Sequence, residues 1–270
     1  MTSGMQLTAL NIYPIKGCRG IAVASVAIDR LGIVGDRRLM LVDEGNHFIS
    51  QREVAALATL VPALDAGTLL VHAAYSTPLH VAIDPDAPTR DVTVWGDTVI
   101  AAADQGDEAA RWFSSAIGTP CRLVAFGTKA HNPIDPEYSP RADAETAFTD
   151  GYPLMVALQE SLDDLNKRLA APVPMQRFRP SIVVGGGKAW SEDDWTAMRL
   201  GTLDCDAVKP CARCVVITTD QESGARSARQ EPLRTLATFR TVPGVGTIFG
   251  QNLVPRNTGT LHVGDAVEVM

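Results

Sequence analysis

The chain lacks the long apolar runs and the basic surplus that would place it in a membrane or on nucleic acid. A membrane-spanning helix needs about 18 consecutive apolar residues, and no apolar run in the chain approaches that length. The first residues, 1–6, lack the charged and apolar regions of a secretory signal peptide. The formal net charge is −7, whereas non-specific nucleic-acid binding requires a basic face. We therefore expect a cytoplasmic protein with no membrane partner and no nucleic-acid partner.

Close pairs of metal-binding residues are also scarce. Of the five cysteines, only Cys211 and Cys214 form a C-x-x-C pair. A structural zinc site usually takes a second close pair of Cys or His ligands, and neither the other three cysteines nor the five histidines supply one. An odd number of cysteines without a signal peptide is typical of free thiols in a reducing compartment. A dithiol redox motif, half of a zinc site and two inert buried thiols remain alternatives for the pair.

The pair lies in the most reactive stretch of the chain, residues 208–219. Thiolate is the nucleophilic and metal-binding form of cysteine, and nearby positive charge favours it. Lys209 and Arg213 supply that charge. The β-branched run 215–219 predicts a strand directly afterwards. This context favours a nucleophile or a soft-metal ligand over a thioredoxin-like pair, which accompanies a βαβ pattern.

Short strands dominate the predicted secondary structure. Between residues 6 and 102, apolar segments recur with turn residues between them, at a spacing typical of a β-sandwich or barrel. Gly96-Asp97 predicts one hairpin turn. With 46% apolar and 20% charged residues, the composition is that of an ordinary soluble globular protein. The expected fold class is mainly β, with α+β character.

Three helices are predicted among these strands. Residues 105–117 have a helical apolar pattern that Gly118 ends. Ser161 and Asp164 resemble a capping box, which predicts a helix that starts at Ser161. A short third helix is expected at about residues 231–239.

Residues 127–147 form the weakest stretch for regular structure. They contain three prolines, Pro133, Pro136 and Pro140, among polar residues. The composition predicts a linker or surface loop. Because long loops are often functional, a loop over the active site is the alternative.

Several blocks of the sequence resemble the MOSC-domain family. Residues 209–219, Lys-Pro-Cys-Ala-Arg-Cys-Val-Val-Ile-Thr-Thr, resemble the cofactor-ligand motif of the MOSC domain. The other blocks that resemble the family lie at 177–184, 231–236, 248–252 and 263–267 for the MOSC domain, and at 13–18 and 35–38 for the N-terminal β-barrel domain that accompanies it. The blocks occur in the family's order and span nearly the whole chain. By this pattern the chain is similar to the amidoxime-reducing and YcbX-like branch of the family.

The resemblance implies a fold of two β-rich units. We expect a MOSC N-terminal β-barrel-like domain over residues 1–126 and a MOSC β-barrel domain over residues 127–270, which includes the loop 127–147. A few helices would lie at the periphery. The site is expected in a cleft between the two units, so that neither unit completes it alone.

The resemblance also implies a molybdenum cofactor, in which molybdopterin carries the metal. Cys214 stands at the position of the thiolate that ligates molybdenum, which makes it the expected metal ligand and catalytic residue, and Cys211 is expected to pack nearby. The cofactor carries a phosphate, which arginine binds as a planar fork and lysine as a point charge. The residues at cofactor-binding positions of the family are Lys16, Arg37, Asp150, Gly151, Tyr152, Arg179, Ser181, Ala212, Arg213 and Cys214.

The activity that the resemblance implies is reduction of N-hydroxylated substrates, such as hydroxylamines and amidoximes, by oxygen-atom abstraction at molybdenum. The chain has no C-terminal cysteine array for an iron–sulfur cluster, so the electrons are expected from a separate reductase or from an iron–sulfur or haem carrier. The alternative is a carrier of the cofactor or of sulfur without redox turnover, and a thiol function without molybdenum is a third hypothesis.

Two residues depart from the pattern or are ambiguous. Ser181 stands where the family usually has Asn, so its hydroxyl is a shorter hydrogen-bonding group. Glu192 is interpreted either as a surface acid or as a group that orients Arg179 or a substrate amine.

Overall fold

The computed structural model describes residues 4–65, 67–96, 99–139 and 141–270. Strands dominate these ranges and only three α-helices occur in them, which confirms the mainly β fold class. The strands are β1 (Gln6–Ile12), β2 (Ile21–Val23), β3 (Ser25–Asp29), β4 (Gly32–Ile33), β5 (Leu39–Val42), β6 (Val61–Asp65), β7 (Thr68–His72), β8 (Leu79–Ala82), β9 (Thr89–Thr93), β10 (Val99–Asp104), β11 (Arg122–Ala125), β12 (Leu154–Leu158), β13 (Ile182–Gly185), β14 (Ala197–Leu200), β15 (Leu203–Ala212), β16 (Thr241–Val242), β17 (Gly246–Pro255), β18 (Gly259–His262) and β19 (Val267–Val269).

The helices are short. The α-helices are α1 (Gly106–Ile117), α2 (Gln159–Arg168) and α3 (Leu233–Ala237), and 3₁₀ helices span Ala55–Thr59, Met175–Phe178, Ser191–Asp194 and Val215–Thr218. In the described ranges, no helix combines the length and the apolar character that crossing a bilayer requires.

One large sheet joins the two ends of the chain. Its strand order is β19-β14-β15-β17-β12-β13-β1-β2, with β12 and β13 parallel. Residues from distant segments, among them Leu7, Leu10, Val184 and Leu253, share one buried apolar cluster on this sheet. A smaller sheet, β18-β3-β4, contributes Val26 to the same cluster. We call these two sheets the large lobe.

Strand β16 pairs with β17 of the large lobe, and the remaining strands form the small lobe. It contains the sheets β5-β11-β10-β9 and β6-β7-β8, and α1 packs against β11. Phe113 of α1 is buried with Leu123 and Leu69 from the two sheets. Ile15 and Cys18, which follow β1 in the chain, are buried in this same cluster. The segment after β1 therefore crosses from the large lobe into the small one.

The chain passes between the lobes more than once. Strands β1 to β4, over residues 6–33, pair within the large lobe, whereas β5 to β11, over residues 39–125, make the small lobe. The division into domains at residues 126 and 127 remains a prediction, and strand pairing cuts across it. The two lobes are thus linked by several chain segments, among them residues 34–38 and 126–153.

The helix predictions are confirmed except for one start. α1 ends at Gly118, which has a φ of 70°, and α3 lies within the predicted range. The start predicted at Ser161 was wrong, because α2 begins at Gln159. The buried Ser161 hydroxyl donates to Glu192 Oε2 at 2.7 Å and accepts the N–H of Trp190 at 2.7 Å. This long-range hydrogen bonding replaces the local cap.

The strand predicted at 215–219 was also wrong. Residues Val215–Thr218 form a 3₁₀ helix, in which the N–H of Ile217 donates to the carbonyl of Cys214 at 3.3 Å. The Thr218 hydroxyl donates to the carbonyl of Val215 at 2.7 Å. Such local side-chain hydrogen bonds compete with strand pairing. The chain consequently turns directly after Cys214.

The loop predicted at 127–147 is confirmed. Its described residues, 127–139 and 141–147, contain no helix or ladder strand, and Pro133 and Glu145 form an isolated bridge. Strands β9 and β10 pair antiparallel on either side of the predicted hairpin turn at Gly96-Asp97. Asp97 itself lies outside the described residues.

Candidate functional site

A cleft of about 340 Å³ lies where the two lobes meet. This volume is within the usual range for small-molecule sites. Of the ten candidate residues, all except Gly151 line it: Lys16, Arg37, Asp150, Tyr152, Arg179, Ser181, Ala212, Arg213 and Cys214. Gly151 lies between two of these residues in the chain. The structure therefore brings together residues that are separated by up to about two hundred positions in the sequence.

The cleft is basic although the protein is acidic. The net charge of the chain is −7, yet the described lining contains seven cationic side chains and one carboxylate. The cationic residues are Lys16, Arg37, Arg52, Arg177, Arg179, Lys209 and Arg213, and the carboxylate belongs to Asp150. Like charges converge in this way where a site binds an anion. The arrangement is suited to phosphate or another multiply charged anionic group.

Arg37 is held by a small buried network. Its Nη1 donates to Asp36 Oδ2 at 2.5 Å and to Ser181 Oγ at 2.8 Å, and its Nη2 donates to the carbonyl of Arg179 at 3.0 Å. Ser181 is fully buried and also donates to Asp36 Oδ2 at 3.4 Å. Ser181 thus orients Arg37 by a direct hydrogen bond. Whether its hydroxyl contacts the cofactor remains a prediction.

Arg179 stands beside Arg37 in an unusual backbone conformation. Its φ is 54°, between the 3₁₀ helix Met175–Phe178 and β13, which is a left-handed conformation that non-glycine residues seldom adopt. Its guanidinium carbon lies 4.4 Å from the centroid of the Tyr13 ring, and that of Arg37 lies 4.1 Å from the same centroid. Burial, reinforced by the charge of Arg37, lowers the pKa of Arg179. An anion placed between the two groups would relieve this repulsion.

A buried pair of glutamines orients Arg179 and joins the lobes. Arg179 Nη1 donates to Gln221 Oε1 at 2.9 Å. Gln221 and Gln51 exchange two amide hydrogen bonds of 3.0 and 3.1 Å, and Gln51 also donates to the carbonyl of Gly17 at 2.5 Å. Both glutamines are almost fully buried, at 1% exposure for Gln51 and 6% for Gln221. Neither glutamine could be predicted from the sequence, because no local pattern marks a pair separated by 170 residues.

Arg213 has most of its donors occupied by backbone carbonyls. Its Nε and Nη2 donate to Phe249 at 3.0 and 2.7 Å, and its Nη1 donates to Phe178 at 2.9 Å. These bonds tie the turn after β15 to β17 and to the segment before β13. Arg213 therefore braces the turn that carries Cys214. Its predicted contact with a pterin remains a prediction.

The two cysteines of the C-x-x-C pair both line the cleft. Cys214 precedes the 3₁₀ helix Val215–Thr218 and is partly buried. Burial raises the pKa of the Cys211 thiol, which keeps it protonated. Cys211 also packs against a buried cluster that includes Phe178 and Phe249. These features agree with the expected packing role of Cys211.

Lys16 and Asp150 form an ion pair at the wall of the small lobe. Lys16 Nζ pairs with Asp150 Oδ1 and lies 4.9 Å from the centroid of the Phe48 ring. The same Asp150 oxygen accepts a hydrogen bond of 2.9 Å from Trp95 Nε1. Burial lowers the pKa of Lys16, and Asp150 partly offsets this effect. Partial desolvation of Asp150 by the walls of the cleft acts to raise its pKa, but Lys16 and Trp95 outweigh this and hold the pKa well below its usual range.

The loop 127–147 packs against the rim of the cleft. The centroid of its Tyr138 ring lies 3.7 Å from Lys209 Nζ. The same ring meets the ring of Tyr152 edge-on, with the two centroids 6.5 Å apart. Burial, with a smaller effect from Asp135, raises the pKa of Tyr152 to about 12. The phenol of Tyr152 therefore keeps its proton at neutral pH. This placement favours the interpretation of the segment as a loop over the site.

Glu192 does not belong to the cleft. It is fully buried, and its Oε2 accepts the hydroxyl hydrogen bond of Ser161. The interpretation as a surface acid was therefore wrong, and so was the interpretation as a group that orients Arg179 or a substrate amine. The sequence could not place Glu192 because its partner comes from a helix 31 residues earlier.

Comparison with known proteins identifies the class of protein. The chain matches the MOSC N-terminal beta barrel domain over residues 4–120 and the MOSC domain over residues 143–268. It therefore belongs to the family of MOSC-domain proteins with a MOSC N-terminal β-barrel domain.

Curated relatives match along almost the whole chain. Mitochondrial amidoxime-reducing component 1 of Mus musculus is 32% identical over 97% of this chain and 81% of the relative. Mitochondrial amidoxime reducing component 2 of Rattus norvegicus is 35% identical over 95% of this chain and 80% of the relative. Mitochondrial amidoxime-reducing component 1 of Homo sapiens is 31% identical over 97% of this chain and 82% of the relative. The predicted resemblance is thereby confirmed.

The residues of the cleft fit the cofactor of this family. MOSC-domain proteins of this family bind the molybdenum cofactor. That group combines an anionic phosphate with a soft metal, and the cleft offers partly free donors on Arg179 and a thiol on Cys214. Lys16 adds a buried ammonium group. The donor set is therefore of the right chemistry for both parts of the cofactor.

Proposed function

We infer that this protein is a molybdenum-cofactor-dependent reductase of N-hydroxylated compounds, such as hydroxylamines and amidoximes. The observation that carries this proposal is the basic cleft whose lining includes the thiol of Cys214, at the turn that follows β15. The names of the relatives, which are amidoxime-reducing components, support the same reaction class.

Each part of the cleft has a role in this proposal. Arg37, Arg179 and Lys16 hold the anionic part of the cofactor, because their charges converge and their positions are fixed by hydrogen bonds and packing. The thiolate of Cys214 ligates the metal. Arg213 keeps the turn that presents Cys214 in place. When bound, the cofactor supplies the acceptor for the substrate oxygen and the electrons for cleavage of the N–O bond.

The overall reaction needs two electrons and two protons. It converts the N–OH group of the substrate into N–H and water. We propose that the electrons come from a separate reductase or from an iron–sulfur or haem carrier. Tyr152, whose phenol keeps its proton at neutral pH, can donate a hydrogen bond within the cleft. The loop 127–147 would limit the access of water. The cytoplasm is the proposed location, which cell fractionation would test.

Turnover by the molybdenum-loaded protein tests this function. The protein is purified from a host that makes the cofactor, reduced with a chemical electron donor and mixed with benzamidoxime. We expect benzamidine as the product in the wild type and in Cys211→Ser, and its loss in Cys214→Ser. Full molybdenum occupancy without turnover of benzamidoxime or hydroxylamines would contradict the proposal.

A sulfur or cofactor carrier is the second candidate. The presence of two thiols, Cys211 and Cys214, on the lining of one cleft favours it. A sulfur carrier would show the mass of one added sulfur atom on one of these cysteines after incubation with a small-molecule persulfide, which transfers its outer sulfur and leaves as a thiol. A cofactor carrier would hand its molybdenum to an apo-enzyme and reduce no N-hydroxylated substrate itself.

A further inference from the structure

The carboxylate of Asp150 has one oxygen occupied and one free. Oδ1 accepts hydrogen bonds from both Lys16 Nζ and Trp95 Nε1. Among the residues that the structure describes, no donor lies within hydrogen-bond distance of Oδ2. The side chain is 77% exposed to the cleft. A carboxylate with one saturated oxygen presents the other to a ligand in a fixed direction.

Trp95 is itself held in place. Phe48 meets its ring edge-on, with centroids 5.6 Å apart and an interplanar angle of 89°. The guanidinium of Arg52 lies 4.5 Å from the Trp95 centroid. Because the ring is held by packing, its indole N–H fixes which oxygen of Asp150 faces Lys16 and which faces the cleft. Trp95 is 40% exposed, so this group lies at the accessible edge of the site.

Oδ2 of Asp150 has the wrong charge for the anionic part of the cofactor. A carboxylate repels phosphate, and it accepts hydrogen bonds from N–H or N–OH groups, most strongly when the donor is cationic. Amidoximes carry an amino group beside the N–OH group, and the amidines that they yield are planar cations. Phe48 and Trp95 supply aromatic surface next to this acceptor. The chemistry therefore matches an amidine-like group with an attached apolar ring.

We propose that Asp150 Oδ2 forms a subsite for the amino side of amidoximes and amidines, with Trp95 as the positioning residue that orients the carboxylate. This inference rests on the proposed function for its identification of the substrate. It predicts that amidoximes bind more tightly than N-hydroxylated compounds that lack a second N–H donor.

Calorimetry with benzamidine and the molybdenum-loaded protein tests the subsite without turnover. Asp150→Asn is expected to weaken benzamidine binding on the order of tenfold or more, because it removes a charge-assisted hydrogen bond. Trp95→Phe keeps an aromatic ring but removes the N–H, and is expected to weaken binding several-fold. The matched control is Trp112→Phe in the small lobe, whose indole donates to the carbonyl of Thr77 at 2.7 Å. It is expected to bind benzamidine like the wild type.

Steady-state kinetics separate positioning from general damage. In Trp95→Phe we expect the KM for benzamidoxime to rise several-fold while kcat stays within about twofold, as for loss of a contact shared by ground and transition states. Unchanged molybdenum content in this variant is part of the expectation. Loss of molybdenum in Trp95→Phe would assign the contact to the cofactor and overturn the inference.

The two proposals fail in different ways. If Asp150→Asn and Trp95→Phe bind benzamidine as tightly as the wild type, the subsite is refuted even if benzamidoxime is reduced. If benzamidine binding depends on both residues and no N-hydroxylated compound is reduced, the subsite stands and the proposed reductase function is refuted.

Discussion

Gln221→Met tests the buried link between the lobes. Methionine has a similar volume, so the replacement removes hydrogen bonds with little change of packing. It leaves Gln51 Oε1 and Arg179 Nη1 without the partners that they have at 3.0 and 2.9 Å. Each buried polar group left unsatisfied costs about 1–3 kcal/mol, so the free energy of unfolding should fall by roughly 2–4 kcal/mol.

The double variant Gln51→Met/Gln221→Met sharpens this prediction. With both amides removed, neither glutamine position keeps a buried polar group that has lost its partner across the pair. The decrease in the free energy of unfolding should therefore be smaller than the sum of the two single decreases by roughly 1–3 kcal/mol. Urea unfolding of the four proteins measures this coupling. Gln159→Met, on α2, is the control and should change stability by less than about 0.5 kcal/mol. Additive losses, or a Gln221→Met loss no larger than that of the control, would refute the reasoning.

Three further predictions concern single side chains. Burial raises the pKa of Glu192 to about 7 from an ordinary value of 4.5. The free energy of unfolding should therefore fall by up to about 3 kcal/mol as the pH rises from 4.5 to 7. Urea unfolding at pH 5 and at pH 8 measures this decline, and Glu192→Gln should not show it. Ser181→Ala should weaken binding of inorganic phosphate to cofactor-free protein several-fold in calorimetry, because Arg37 loses a partner at 2.8 Å; unchanged affinity would contradict its orienting role. Arg213→Lys should lower the urea midpoint, since lysine cannot reach the carbonyls of Phe249 and Phe178 together; an unchanged midpoint would contradict the bracing role.

The convergence of the main site residues was predictable from the sequence. Lys16, Arg37, Arg179 and Cys214 lie in separate blocks that resemble one family, and the structure places all four on one cleft. The mainly β class followed from the spacing of short apolar segments. The resemblance extends over several separate blocks, and the strand pattern repeats over many residues. An error at one position therefore overturns neither prediction.

Other features depend on contacts between distant segments. Ser161 has the pattern of a helix cap, but its hydroxyl binds Glu192 and Trp190 instead. The run after Cys214 has high β propensity, yet the hydrogen bonds of its own turn make it 3₁₀. Trp95 is an ordinary aromatic residue in the sequence, and only the fold brings its indole to the carboxylate. In each case tertiary hydrogen bonds outweighed a weak local preference.

X-ray absorption at the molybdenum edge tests the central claim most directly. The wild type, Cys211→Ser and Cys214→Ser are purified from a host that makes the cofactor, and the sulfur ligands of the metal are counted. We expect bound molybdenum in the wild type and the same number of sulfur ligands in Cys211→Ser. Cys214→Ser should have one sulfur ligand fewer or should have lost the metal. Absence of molybdenum from the wild type, or an identical sulfur count and occupancy in Cys214→Ser, would contradict a thiolate-ligated molybdenum site.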